Sequence, residues 1–132
     1  MKKKILIVMA NYYEAISKGL LHNTKKVLQE QFDLISVPGV FEIPVIIAKN
    51  IKKYDGFIAL GCVIKGETPH FDLISKAAID GIMKLSIEYK KPIGNGIITC
   101  LNLKQAIARQ KKGQEAAAAL LSVLNPVKVS AE

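Results

Sequence analysis

The stretch GCVIKGETPHFD (61–72) sets a lysine, a glycine, a carboxylate, a hydroxyl and an imidazole within a few positions of one another. Free backbone amides at a helix start attract anions, and the helix macrodipole adds to that attraction. With Thr68 as N-cap and Pro69 as first helical residue, the backbone of residues 66–68 can cradle an anion such as phosphate. Glu67 fits there through its amide and not its carboxylate. His70 then stands in the first helical turn, suited to passing protons near neutrality, and equally readable as a surface or capping residue. Glu42, in VPGVFEIP (37–44), is either a charge at a helix start or a fixed acceptor for ligand hydroxyl and N–H groups. The tyrosines of NYY (11–13) either offer a ring for stacking or seal a core. Arg109 is the only arginine in the chain, and its guanidinium suits two-point contact with phosphate or carboxylate; the alternative is an ordinary exposed base. His22, beside Asn23 and Thr24, reads as surface. The two histidines and two cysteines lack ligand spacing, so no metal site is expected.

Such groups need elements to hold them. The apolar runs ILIVMA (5–10), FDLISV (32–37), GFIALGC (56–62) and GIITC (96–100) read as strands buried on both faces. Helical spacing or good helix formers fill 13–30, 41–53, 70–90 and 102–125. This alternation predicts an α/β fold with a four-stranded parallel sheet flanked by helices. Ligands in such folds gather beyond the carboxyl ends of the strands, so the segments after Ala10, Val37, Cys62 and Cys100 are where a site is expected. In 70–90, Phe71, Ala78, Ile82, Leu85 and Tyr89 share one face, while Asp72, Lys76, Asp80, Lys84 and Glu88 form a ladder of alternating charge. Asn102 and Gln105 suit a capping pair, and Gly113 is expected to break the last helical segment in two.

A chain of 132 residues, half of them apolar, is sized for one domain spanning 1–132. No apolar run approaches the roughly 18 residues of a membrane span. The opening MKKKILIVMA reads as a first strand and not a signal peptide. Cys62 and Cys100 each close an apolar run, where buried or site-lining thiols sit more naturally than a disulfide, in keeping with a reducing cytoplasm. The formal charge of +8 raises the question of nucleic acid, but the lysines are dispersed at element ends, so no nucleic-acid partner is expected.

Taken together, PGVFEIP (38–44), GCVIKGETPHFD (61–72) and PIGNGIITCLNLKQAIAR (92–109), in that order and with KG at 112–113 before an alanine-rich final helix, resemble the lumazine synthases. The resemblance spans nearly the whole chain. It implies a flavodoxin-like three-layer sandwich and the condensation of 5-amino-6-(ribitylamino)uracil with 3,4-dihydroxy-2-butanone 4-phosphate, a step of riboflavin biosynthesis that needs no metal or redox cofactor. Carried over by position, Tyr12, Val40, Phe41, Glu42, Cys62, Val63, Ile64 and Asn95 would surround the ribitylaminouracil. Glu67, Thr68 and Arg109 would hold the butanone phosphate, and His70 would serve the proton transfers. The resemblance also implies a homopentamer, or a multiple of pentamers, with each site lying between adjacent subunits. This chain departs from the family at Asn95, a position often aromatic, and at Asn11 and Tyr13 around the retained Tyr12.

Two other readings suit the same pattern. A flavin-binding carrier of flavodoxin type would place a glycine- and hydroxyl-rich phosphate loop after the first strand, where MANYYEAIS has no glycine. A basic structural shell protein would bind polyanions in a steeply salt-dependent way.

Overall fold

The computed structural model describes residues 2–130. Within them, strands β1 (Ile5–Ala10), β2 (Phe32–Val37), β3 (Gly56–Ile64) and β4 (Ile93–Cys100) form one all-parallel sheet in the order β2-β1-β3-β4. The helices are α1 (Glu14–Val27), α2 (Ile43–Asn50), α3 (His70–Tyr89), α4 (Leu103–Ala108) and α5 (Lys112–Leu124), with a 3-10 turn at Val40–Glu42 ahead of α2. Alternation along the strands sorts the core into two layers. Ile5, Ile7 and Met9 of β1 pack with Ile16 and Leu20 of α1 and Ala117 and Leu120 of α5. Leu6, Val8 and Ala10 pack with Ile43 and Ile47 of α2 and Ala78 and Ile82 of α3. The result is the expected α/β three-layer architecture.

The central strands β1 and β3 are buried along nearly their whole length, as their unbroken apolar runs require. The expectation fails for β2. At the sheet's edge its Asp33, Leu34 and Ser36 are exposed, because only one long side of the strand is covered. Helix α1 is stabilised at both ends by charge that complements its dipole, with Glu14 in the first turn and Lys25 and Lys26 in the last. The buried Ser17 hydroxyl donates to the Ala10 carbonyl and so ties the start of α1 to the end of β1.

Helix α3 begins at His70 with Pro69 in the cap position, one residue later than expected. Thr68 nevertheless accepts from the His70 N–H at 3.3 Å, which is what an N-cap hydroxyl does for the second helical residue. Of its charge ladder, Lys76 and Asp80 form an ion pair at 2.7 Å. The last helical segment divides at residues 109–111 and not at Gly113. Gly113 lies inside α5 for a different reason: a Cβ there would stand 2.2 Å from the Leu20 carbonyl oxygen and 2.8 Å from Thr24 Oγ1 of α1. The missing side chain lets the two helices touch backbone to backbone, so the glycine belongs to packing and not to the break. Asn102 caps α4 through Oδ1, which accepts from the Gln105 N–H at 2.9 Å, while Gln105 Oε1 accepts from the Leu101 N–H at 2.8 Å. No helix among the described residues is long and apolar enough to cross a membrane.

Candidate functional site

Parallel strands place all four carboxyl ends on one side, and short backbone ties close that edge. The Asn11 N–H donates to the Val37 carbonyl at 2.8 Å, joining the ends of β1 and β2, and the Lys65 N–H donates to the Cys100 carbonyl at 2.8 Å, joining β3 and β4. Tyr12, residues 40–42 and residues 63–70 therefore share one edge of the sheet.

Tyr12 is 75% exposed, with its ring edge-on to Tyr13 at 4.9 Å, so it is available to stack. Burial pushes the Tyr13 phenol above its ordinary value, with Tyr12 and Cys62 adding to the rise. Val40 is buried because it packs on Gly61, where a Cβ would lie 2.6 Å from Val40 Cγ1 and 3.0 Å from the Ala10 methyl. That close approach pins the 3-10 turn onto β3 and presents its next residue, Phe41, outward at 58% exposure. Glu42 is half-buried; its Oε1 accepts from the Gly39 N–H at 3.0 Å while its own N–H donates to the Gly39 carbonyl at 3.2 Å, a reciprocal pair that fixes the carboxylate at the turn. Glu42 thus supports the start of the turn, which is the first of its two readings.

Val63 and Ile64 are half-buried at the end of β3, and residues 65–70 that follow are exposed. A Cβ added at Gly66 would meet nothing within 4 Å, so the packing of this chain does not explain that glycine. Its bareness leaves the backbone of 66–68 open to close approach. Cys62 behaves differently from its neighbours. Its thiol turns into the layer of α1 and α5, buried next to Cys100, and burial, with Cys100 adding to it, pushes the thiol up to about 12. Only the backbone of Cys62 belongs to the edge where Phe41 and Glu67 stand.

Asn95 and Arg109 are not brought to that edge in the same way. Asn95 pairs with Ala59 partway along the edge strand β4, five residues before Cys100, or roughly 16 Å from the carboxyl end at about 3.3 Å per residue. The carbonyls of Pro92 and Cys100 accept from β3 and its extension, so the odd-numbered residues of β4 aim their backbone groups at the open side of the strand. There Asn95 Oδ1 accepts from the Ile97 N–H at 3.0 Å, and Arg109 donates through a guanidinium nitrogen to the Thr99 carbonyl at 3.1 Å. Both side chains therefore lie along the sheet's free edge.

Two residues that sequence reasoning missed join these parts. Thr99 lines a recess with Arg109, Lys111 and Lys112, and also a neighbouring recess with Phe71, Asp72 and Ser75 of α3. Ser75 is buried there with no hydrogen-bond partner for its hydroxyl among the described residues. Thr99 has the same odd parity as Asn95, a signal that becomes readable only once β4 is known to be the edge strand.

Comparison with known proteins agrees with this architecture over its length. Residues 2–128 match the sequence model of the family described as 6,7-dimethyl-8-ribityllumazine synthase. A protein of that name from Bartonella bacilliformis is 45% identical over 118 residues, covering 84% of this chain and 78% of the relative. Another from Bartonella tribocorum is 43% identical over 137 residues, covering 94% and 91%, and one from Agrobacterium fabrum is 41% identical over 138 residues, covering 93% of each.

Proposed function

Because this chain belongs to the 6,7-dimethyl-8-ribityllumazine synthase family, we propose that its 132 residues form one catalytic domain with a site at the carboxyl edge of the sheet. The enzyme condenses 5-amino-6-(ribitylamino)uracil with 3,4-dihydroxy-2-butanone 4-phosphate in riboflavin biosynthesis. The 5-amine attacks the ketone and water leaves to give an imine. Loss of the C3 proton and the C4 phosphate then gives an enol that tautomerises to a methyl ketone, and the ribityl-bearing nitrogen closes the ring on this new carbonyl with loss of a second water.

In this reading Tyr12, Val40, Phe41, Glu42, Val63 and Ile64, together with the backbone at Cys62, receive the pyrimidine and its ribityl chain. The amides of Glu67 and Thr68 receive the phosphate, and His70 moves protons through imine formation and elimination. Two substrates and several proton transfers make positioning the main contribution, with His70 adding general acid–base help.

Arg109 serves the site of a neighbouring copy, from the same free edge of β4 on which Asn95 lies. The observation that carries this reading is the guanidinium held on the Thr99 carbonyl at the free edge of β4, where an adjoining protomer can reach it. Exposed apolar side chains on α3 and α4 give such a neighbour something to cover, among them Leu73 at 66%, Ile87 at 69% and Ile107 at 58%. The assembly is a pentamer or a multiple of pentamers, working in the cytoplasm on small-molecule substrates. The test is to incubate the purified protein with both substrates, follow lumazine absorbance and phosphate release, and measure mass by light scattering. Activity from a species of monomeric mass would overturn the shared site.

A further inference from the structure

The opposite end of the sheet holds a recess that the proposed chemistry does not use. Lys2, Lys3 and Lys4 line it ahead of β1, Lys52 and Lys53 line it in the turn after α2, and Tyr54 stands beside them. It lies at the amino ends of the strands, a strand length of roughly 20 Å from the carboxyl edge at about 3.3 Å per residue.

The fold does not account for so many ammonium groups in one concavity. Lys4 supports the structure through its backbone, its N–H donating to an Asp55 carboxylate oxygen at 2.7 Å and its carbonyl accepting from the Asp55 N–H at 2.7 Å. Glu30 and Asp33 are the carboxylates that face the recess, and Asp33 is already engaged by the Tyr54 hydroxyl at 2.6 Å. Among the described residues, ion pairs form at Lys18, Lys76 and Lys112, and at none of these five lysines. Five lysines against two carboxylates leave the recess with an excess of positive charge, which an anion of several charges would relieve. Lysine is a flexible point charge, so the set suits a flexible chain of charges better than a single planar carboxylate. Tyr54 is held at its hydroxyl by Asp33 and packs its ring against Phe57 at 5.9 Å, giving a fixed aromatic wall.

We propose that this recess is a second anion site that takes an oligophosphate, either free or as the phosphate chain of a nucleoside triphosphate. Calorimetric titration with inorganic tripolyphosphate and with ATP tests it, at about 10 mM and about 150 mM salt, where the screening length falls from roughly 30 to roughly 8 Å. Lys52→Ala/Lys53→Ala should weaken tripolyphosphate binding about tenfold at low salt, whereas Lys18→Ala/Lys84→Ala, which removes the same charge elsewhere, should leave it unchanged. Tighter binding of ATP than of tripolyphosphate identifies a nucleotide held against Tyr54; equal binding identifies the phosphate chain alone. The Arg109→Ala variant should keep full affinity, and Lys52→Ala/Lys53→Ala should make lumazine at the parent rate, which separates this site from the proposed catalytic one. Equal losses in the two double variants, loss of binding in Arg109→Ala, or no binding by the parent protein at low salt would each overturn the proposal.

Discussion

If Arg109 and His70 complete one site from two protomers, each can be disabled on a different chain and the damage partly reversed by mixing. The Arg109 guanidinium is exposed and lies at the free edge of β4, where it rests on the Thr99 carbonyl of its own chain. A charge-assisted hydrogen bond contributes about 1.5–3 kcal/mol, so Arg109→Ala should raise KM for the phosphorylated substrate by roughly 10- to 150-fold. The fold should hardly respond, since the residue ends α4 and is not buried. His70→Ala should lower kcat and leave that KM near the parent value. Co-expression of the two variants with different affinity tags, followed by sequential purification, yields mixed rings. With random placement and equal numbers, about a quarter of the interfaces carry both intact residues, so about a quarter of the parent activity should return at low phosphate-substrate concentration. Were both residues used by the site of their own chain, every site would retain one defect and mixing would restore nothing. A mixed assembly no more active than the mean of its parents would refute the shared site.

His70→Ala alone should reduce turnover by about a hundredfold at saturating substrates without abolishing it, because orientation remains; unchanged kcat would remove His70 from the proton transfers. Gly113→Ala forces a Cβ to within 2.2 Å of the Leu20 carbonyl, so denaturant titration should find a loss of about 1–3 kcal/mol, and a neutral result would mean that α1 and α5 do not touch there. The Cys62 thiol, pushed up to about 12, is protonated at pH 8 to all but about one part in ten thousand, so iodoacetamide should leave it unmodified in the native protein. Alkylation there at the rate of a free thiol would contradict its burial. The sign carries over to alkaline pH: the raised value stabilises the folded state below the ordinary thiol range, and that contribution is lost as pH climbs through the ordinary value toward 12. Cys62→Ala should flatten this part of the denaturation profile.

The layered fold was readable from the alternation of apolar runs and helical periods, because β1 and β3 are buried on both faces and their sequences contain little else. Strand order and helix packing were not readable, and two misreadings trace to them. FDLISV has the composition of a central strand yet lies at an edge, where Asp33 can face solvent. Gly113 carries the usual mark of a break yet sits within a helix, since its value lies in a contact with α1, far away in sequence. For the site, local chemistry was legible where one loop supplied it: the Thr68 cap and the exposed 66–70 turn follow from neighbouring residues alone. The orientation of Asn95, Thr99 and Arg109 depends instead on which side of β4 is free, a property of the whole sheet.

That dependence gives Asn95 a definite role in this chain. An aromatic at that position would place a ring on the free edge, where it could only be covered by a neighbour. Asparagine instead turns its carbonyl back to the Ile97 N–H and satisfies a backbone donor that an edge strand otherwise leaves to water. Asn95 therefore supplies edge protection and no stacking surface, and in the proposed site a ring contact with the pyrimidine would fall to Tyr12 and Phe41, which stand exposed at the carboxyl edge. Phe41→Ala should then raise KM for the ribitylaminouracil while Asn95→Ala leaves it within about twofold, a difference well under 1 kcal/mol. The reverse ranking in steady-state kinetics would return the stacking role to residue 95.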